Sequence, residues 1–294
     1  MTRMPDTGAE LGVPAVVGVL GGGRMGAGIA HAFLVAGSAV TIVERDAAAA
    51  ESAWQRVMGA VDKGMAVGSV AGPRARFADR LTVATDAAAF AGAGLVVEAV
   101  PEDAALKGAA LRAAETHLAP AAWLASNTSS LSITALGRQL ERPERFIGLH
   151  FFNPVPVSEL IEVVTGERTS AELVDLARGW TDALGKVPIV VRDAPGFASS
   201  RLGVALALEA IRMVEEGVAS PADIDAAMVL GYRHPAGPLR TTDLVGLDVR
   251  LGIAEHLQHT LGERFAPPQL LRDLVAQGDL GRKTGRGFFD WKDA

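Results

Sequence analysis

The stretch VVGVLGGGRMGAGIAHAFLVA, residues 16–36, decides the fold. Val16 to Leu20 is an apolar, β-branched run of strand length. Gly21-Gly22-Gly23-Arg24-Met25-Gly26 follows without a spacer, and Ala27 to Ala36 is helix-forming. Strand, GxGxxG turn and helix in that order make the phosphate-binding unit of a dinucleotide site. Gly21 permits the tight turn and Gly23 lets main chain approach a pyrophosphate. Gly26 lets the helix pack closely on the strand, leaving helix-terminal N–H groups directed at the anion. The next strand, Ala39 to Val43, runs into Glu44, where a carboxylate accepts both ribose hydroxyls and repels a 2′-phosphate. That favours NAD over NADP. Arg45, beside it, could pair with such a phosphate and pulls the other way. A bare glycine-rich turn with a solvated acid after it leaves this order unexplained.

Outward from this unit, short β-branched runs alternate with longer alanine-rich stretches of helical period, the pattern of a parallel α/β sheet. The further strands expected are Leu95 to Ala99, Trp123 to Ser126, Phe146 to His150, Leu160 to Val164 and Val187 to Val191. After Pro195-Gly196 the character changes. Ser199 to Gly217, Pro221 to Leu230, Thr242 to Leu261 and Pro268 to Gln277 read as helices, with Pro221 suited to a first turn. The expected architecture is α/β, a Rossmann-type doubly wound sheet followed by a smaller all-helical C-terminal domain. Its boundaries are a flexible tail over 1–13, a nucleotide-binding domain over 14–194 and a helical domain over 195–294.

A second chemical cluster follows the strand at Trp123. Ser126-Asn127-Thr128-Ser129-Ser130 sets small hydroxyl and amide groups at a strand's C-terminal end, the edge where ligands sit in open α/β sheets. Ser130 reads equally well as the N-cap of the next helix. The following strand ends in His150, and Glu162 lies on the strand after it. Histidine transfers protons near neutrality, and a carboxylate from a neighbouring strand would fix its tautomer and stabilise the imidazolium. Taken alone, a histidine at a strand end is more often a packed residue; the surrounding motifs reverse that reading. His31, His117, His234, His256 and His259 lack such surroundings, and none forms a zinc pattern, so no metal is expected.

Composition narrows the field. With 49% hydrophobic and 21% charged residues the chain is globular in character. It has no cysteine, which excludes disulfides, thiolate metal sites and cysteine nucleophiles. A net charge of -6 offers no basic footprint for nucleic acid. No apolar run is long enough to span a bilayer, and Met1 to Gly12 lacks the apolar core of a secretory signal, so a cytoplasmic protein is expected. Among the 28 basic residues the lysines are only Lys63, Lys107, Lys186, Lys283 and Lys292. A lysine retained where arginine is the default marks a need for a compact ammonium, or mere base composition.

With these residues assembled, the chain resembles the L-3-hydroxyacyl-CoA dehydrogenase family, including its 3-hydroxybutyryl-CoA branch. The match runs through VGVLGGGRMGAGIA from Val17, VVEAVPED from Val96, SNTSSLSIT from Ser126 and GLHFFNPVP from Gly148. It continues through PGF from Pro195, GPLRTTDLVGLD from Gly237 and GRKTGRGFFDW from Gly281. The resemblance implies reversible NAD-dependent oxidation of an acyl-CoA, as in fatty-acid β-oxidation. It implies His150 as acid/base, Glu162 as its partner and Ser129 as a hydrogen-bond donor to substrate. Around the NAD it places Arg24, Met25, Ala99, Glu102, Lys107, Asn127, Asn153 and Lys283 beside the glycines, Glu44 and Arg45. Lys63 is the candidate for a CoA contact. Where much of the family has an asparagine three positions after PGF, touching the reacting oxygen, this chain has Ser200. Its shorter reach leaves open a non-CoA substrate of the gulonate or carnitine type, or a non-catalytic NAD-binding protein. The resemblance also implies a homodimer through the helical domain. The apolar surplus of Leu202, Val204, Leu206, Leu208, Ile211 and Met213 fits that, unless these residues simply close a core.

Overall fold

The runs that read as strands are apolar on both faces because they lie in a sheet covered by helices on both sides. The computed structural model describes residues 12–292, so the tail expected over 1–13 lies, except for Gly12 and Val13, outside the described residues. The chain divides into two compact units, one ending at Asp193 and one beginning at Ala194.

The first unit runs β1 (Val16–Leu20), α1 (Arg24–Val35), β2 (Ala39–Val43), α2 (Ala47–Ala66), α3 (Arg74–Ala78), β3 (Leu81–Ala84), β4 (Leu95–Glu98) and α4 (Ala104–His117). It continues with β5 (Trp123–Ser126), α5 (Ile133–Gly137), β6 (Phe146–Phe151), β7 (Leu160–Thr165), α6 (Ala171–Ala183) and β8 (Val187–Arg192). The strands form one sheet of order β3-β2-β1-β4-β5-β6-β7-β8. The order reverses between β1 and β4, which is where an open sheet of this kind leaves a crevice at its carboxyl edge. β1 places Val17 and Val19 in the core, against Ile29, Phe33 and Leu34 of α1, all fully buried. Each such side chain contributes roughly 1.5–3 kcal/mol. Asp46 accepts from the Ala49 N–H at 2.8 Å to start α2, and Asp103 from the Leu106 N–H at 2.8 Å to start α4.

Two features depart from the sequence reading. β3, unforeseen, is a four-residue edge strand with its middle half exposed. The sheet is also not all parallel, since β7 runs antiparallel to β6. The connection over 152–159 is too short for the dozen or more residues that a parallel crossover needs. The antiparallel register sets His150 directly opposite Glu162.

The second unit comprises α7 (Ser199–Glu215), α8 (Pro221–Ala226), α9 (Pro238–Val245), α10 (Leu247–Leu261) and α11 (Gln269–Ala276). The helix expected over 242–261 is two helices, broken at Gly246, whose φ of 107° a side-chain-bearing residue rarely adopts. α8 passes into a π-helical turn over Ala227–Gly231. Val204, Leu208 and Ile211 belong to this unit's own core. Of the apolar surplus on α7 only Leu202 is strongly exposed, at 70%. Asp243, buried, fastens the C-terminal segment by accepting from the Phe288 and Phe289 N–H groups at 3.0 and 2.9 Å and from Trp291 Nε1 at 2.8 Å. Among the described residues no helix is long and apolar enough to cross a membrane.

Candidate active site

The glycine loop connects β1 to α1 at the sheet's carboxyl edge. Gly21 has φ of 92°, and a Cβ there would stand 3.0 Å from the Ala99 carbonyl oxygen. At Gly26 a Cβ would lie 1.8 Å from the Gly21 oxygen, so strand and helix can approach only through glycine. Gly22, which the sequence reading passed over, is equally constrained: its Cβ would meet that of Ala53 on α2 at 2.3 Å. Gly23 is different, with nothing within 4 Å of a built Cβ. Among the described residues no side chain caps α1, and no acid occupies its first turn, where Arg24 and Met25 begin the helix. The main-chain donors there and the open face at Gly23 fit a dinucleotide's pyrophosphate.

Glu44 closes the loop. Its Oε1 accepts from the Gly22 N–H at 2.7 Å and its Oε2 from the Arg45 N–H at 3.1 Å, leaving lone pairs for ribose hydroxyls. Arg45 turns its guanidinium to Asp46, Nε to Oδ2 at 3.0 Å, in an exposed pair. Arg56 donates to the Gly22 carbonyl at 3.2 Å, a contact that spacing in sequence did not disclose.

Behind the loop lies a charged cluster in which Glu98 and Lys107 are buried and Glu102 is exposed. Lys107 is 1% exposed; its Nζ donates to Glu98 Oε1 at 2.8 Å and to the Val100 carbonyl at 3.0 Å, and stands 3.3 Å from Glu102 Oε2. The structure therefore sets Lys107 beneath the surface where the sequence reading expects a cofactor contact, with two hydrogen bonds and a second ion pair. Glu98, fully buried and not anticipated, also accepts from Ser126 Oγ at 2.5 Å and from the Val100 N–H at 2.6 Å. Glu102 Oε1 accepts from Thr128 Oγ1 at 2.6 Å and from the Ser129 and Ser130 N–H groups at 2.8 and 3.0 Å. The hydroxyls of Ser129 and Ser130 point to the same oxygen at 3.2 and 3.0 Å. Burial works to raise the Glu102 carboxyl, but the Lys107 charge and the bonds from Thr128, Ser129 and Ser130 outweigh it and hold it below its ordinary value. These donors exceed what one carboxylate oxygen can accept well, and the Ser129 hydroxyl, longest of them, is released at least cost. Ser130 is thus not the cap of α5; Ser132 is, accepting from the Ala135 N–H at 3.0 Å.

His150 and Glu162 meet across β6 and β7, His150 Nδ1 to Glu162 Oε2 at 2.7 Å, both buried. The carboxylate at Nδ1 fixes the tautomer that makes Nε2 the basic nitrogen. Phe152 packs on the imidazole with ring centroids 4.4 Å apart. Asn127 Oδ1 accepts from the Phe151 N–H at 2.8 Å, which ties the serine-rich turn to the strand end bearing His150. Asn153 is exposed at the start of the loop after β6, before a cis bond to Pro154.

The remaining candidates lie on other elements. Lys63 is exposed in the last turn of α2. Ser200 lies in the first turn of α7. Lys283, in the second unit, is held by both oxygens of Asp248 at 2.6 Å. Burial acts to raise the Asp248 carboxyl, but the Lys283 bond, helix-terminal N–H groups and the ammonium charge bring it below its ordinary value.

Residues 16–194 match the family model for the NAD binding domain of 3-hydroxyacyl-CoA dehydrogenase, and residues 196–291 match the model for its C-terminal domain. The chain is 39% identical over 279 residues to a probable 3-hydroxybutyryl-CoA dehydrogenase of Deinococcus radiodurans, covering 93% of this chain and 99% of that one. To the 3-hydroxybutyryl-CoA dehydrogenase of Mycobacterium tuberculosis it is 40% identical over 282 residues, covering 94% and 98%. The crystal structure of (S)-3-hydroxybutyryl-CoA dehydrogenase from Ralstonia eutropha superposes with a TM-score of 0.90 at 37% identity, over 95% of this chain and 99% of that one. The two family models meet end to end along a chain whose relatives align over nearly their whole length, and by that match the chain belongs to the 3-hydroxyacyl-CoA dehydrogenase family.

Proposed function

We propose that this protein oxidises L-3-hydroxyacyl-CoA, such as 3-hydroxybutyryl-CoA, to the 3-ketoacyl-CoA with NAD, reversibly. The observation that carries the reading is the buried His150–Glu162 pair, Nδ1 to Oε2 at 2.7 Å, at the edge of the sheet that bears the glycine loop. NAD, when bound, supplies the acceptor for the hydride from C3. His150 takes the 3-hydroxyl proton at Nε2, and Glu162 stabilises the imidazolium that results. In reduction the same imidazolium returns the proton. Ser129 turns its hydroxyl from Glu102 to the substrate oxygen, and Asn153 helps to position it, an effect worth orders of magnitude in rate; Ser200 is the residue proposed for a substrate contact in the second unit.

Glu44, with the main-chain donors of Gly23, Arg24 and Met25, holds the dinucleotide; Glu102, resting on Lys107, supports it from the serine-rich turn. Lys63 is the residue proposed for a CoA contact. We assign NAD binding to residues 14–194 and substrate and subunit contacts to 195–294. A homodimer through the helical unit is supported by the exposed Leu202, Val218, Leu230 and Tyr232, at 70, 60, 80 and 75%. A cytoplasmic place in fatty-acid β-oxidation is the setting this chemistry suits. The test is NADH consumption with acetoacetyl-CoA. Turnover with NADH in preference to NADPH is expected; its absence, with gulonate or carnitine oxidised in its place, overturns the CoA reading.

A further inference from the structure

The His150–Glu162 pair lies next to the open end of its strand pairing. Phe151 and Ile161 form the last pair, and the chain between β6 and β7 runs over 152–159. Connections within antiparallel pairs are commonly about 2–5 residues long, and their turn fixes the register. A longer one needs another restraint, because a slip of one residue would turn Glu162 to the opposite face of the sheet. Lys186 supplies that restraint. Its Nζ donates to the Val155 carbonyl at 2.7 Å and to the Ser158 carbonyl at 2.6 Å. The Pro154 carbonyl accepts from the Val157 and Ser158 N–H groups at 3.0 and 2.9 Å, so the segment turns on itself and brings both carbonyls to one donor.

The lysine has a rigid base. Gly185, with φ of 69°, turns the chain out of α6, and the Lys186 N–H donates to the Thr181 carbonyl at 3.1 Å. β8 begins at the next residue, where Val187 pairs with Leu160 and donates to the Glu159 carbonyl at 2.6 Å. On the other side of the segment Val155, 2% exposed, fills the space over Gly28 of α1, where a built Cβ would stand 2.8 Å from its Cγ2. Asn153, two residues before Val155, is left exposed. Burial lowers the Lys186 pKa and the Glu159 charge acts the other way, yet the ammonium is bonded to two neutral carbonyls. Such bonds fix the shape of a loop, and an ammonium with three rotatable donors suits them better than a planar guanidinium.

We propose that Lys186 is a positioning residue for proton transfer: it clasps the connection between β6 and β7, and so holds Asn153 in place and Glu162 against His150. The inference rests on the reading above that gives His150 the substrate proton. Without the ammonium the two carbonyls turn to water, while α1 and the glycine loop keep their own contacts. The loss therefore falls on turnover and not on dinucleotide binding, and a misplacement of about 1 Å costs up to about 100-fold in rate.

The chain has no cysteine, so Lys186→Cys carries a single thiol. Alkylation with bromoethylamine converts it to S-aminoethylcysteine, which returns an ammonium at nearly the length of lysine. Lys186→Met, and Lys186→Cys before and after alkylation, are titrated with NADH by fluorescence and assayed for kcat with acetoacetyl-CoA per NADH-binding site. The full complement of sites is expected, with the NADH dissociation constant within a few-fold of wild type. Turnover per site should fall by about tenfold or more in Lys186→Met and in unalkylated Lys186→Cys, and alkylation should restore it to within about threefold. Unchanged turnover per site overturns the proposal. Activity lost only in proportion to lost NADH sites overturns it too, since the lysine would then serve folding alone. So does a loss that alkylation leaves in place. A wild type that does not reduce acetoacetyl-CoA sinks the CoA reading instead, and the same comparison with the hydroxy substrate it does oxidise still decides the role of Lys186.

Discussion

At the scale of single residues, the His150–Glu162 pairing was legible from motif context, whereas the cluster of Glu98, Glu102 and Lys107 was not. Glu98 sits at the end of β4 in a run of valines, and sequence spacing says nothing of its three partners on different segments. The retained lysines carried a partial signal. Lys107 is the buried counter-ion of Glu98, and Lys186 donates to the Val155 and Ser158 carbonyls at 2.7 and 2.6 Å, bracing the loop that follows His150. In both places a compact ammonium with several directions of donation suits the space. Removing one partner of a buried pair leaves an uncompensated charge. Glu98→Gln is therefore expected to lower stability by roughly 3–5 kcal/mol in chemical denaturation. Adding Lys107→Met should recover much of that loss; purely additive losses in the double variant would show that the two do not act as a unit.

At the scale of elements, β1, the glycine turn and α1 were readable because local propensity, turn chemistry and packing agree there. β3 was missed because four residues with an exposed middle carry almost no periodic signal. The antiparallel β7 could have been inferred from the length of 152–159, and the break at Gly246 from a glycine inside a helical pattern. The glycines make a sharp prediction. Gly23 has φ of -62° and open space around a built Cβ, so Gly23→Ala should leave the melting temperature unchanged or slightly raised. If the pyrophosphate lies there, the same methyl group weakens NADH binding by about tenfold or more, measured by fluorescence titration. Undiminished binding in Gly23→Ala would move the dinucleotide off this loop.

At the scale of the whole molecule, the order of motifs along the chain made both the family and the two-part architecture legible, because each motif keeps its own strand or helix. The interface argument drawn from α7 was weaker, since Val204, Leu208 and Ile211 turn inward. Global stability should carry a signature of His31, which is buried on α1 with neither ring nitrogen hydrogen-bonded among the described residues. Burial, and secondarily the Lys186 charge, lower its pKa from 6.5. The unfolded chain thus binds a proton below that value before the folded protein does. Stability is full above about pH 6.5 and falls as the pH drops, by up to about 1.4 kcal/mol per pH unit. Glu102, held below its ordinary 4.5, adds a separate loss only at more acid pH. In melts between pH 7 and 5.5, His31→Leu should flatten the slope; an unchanged slope would assign it to other groups.

The central claim is that one imidazole moves the proton while the dinucleotide is bound independently of it. Replacing it by an amide tests this most directly: His150→Gln assayed for kcat with acetoacetyl-CoA and for NADH affinity in the same preparation. The account predicts a fall in kcat of at least about 100-fold with the NADH dissociation constant within a few-fold of wild type. A His150→Gln enzyme that turns over at the wild-type rate would contradict it.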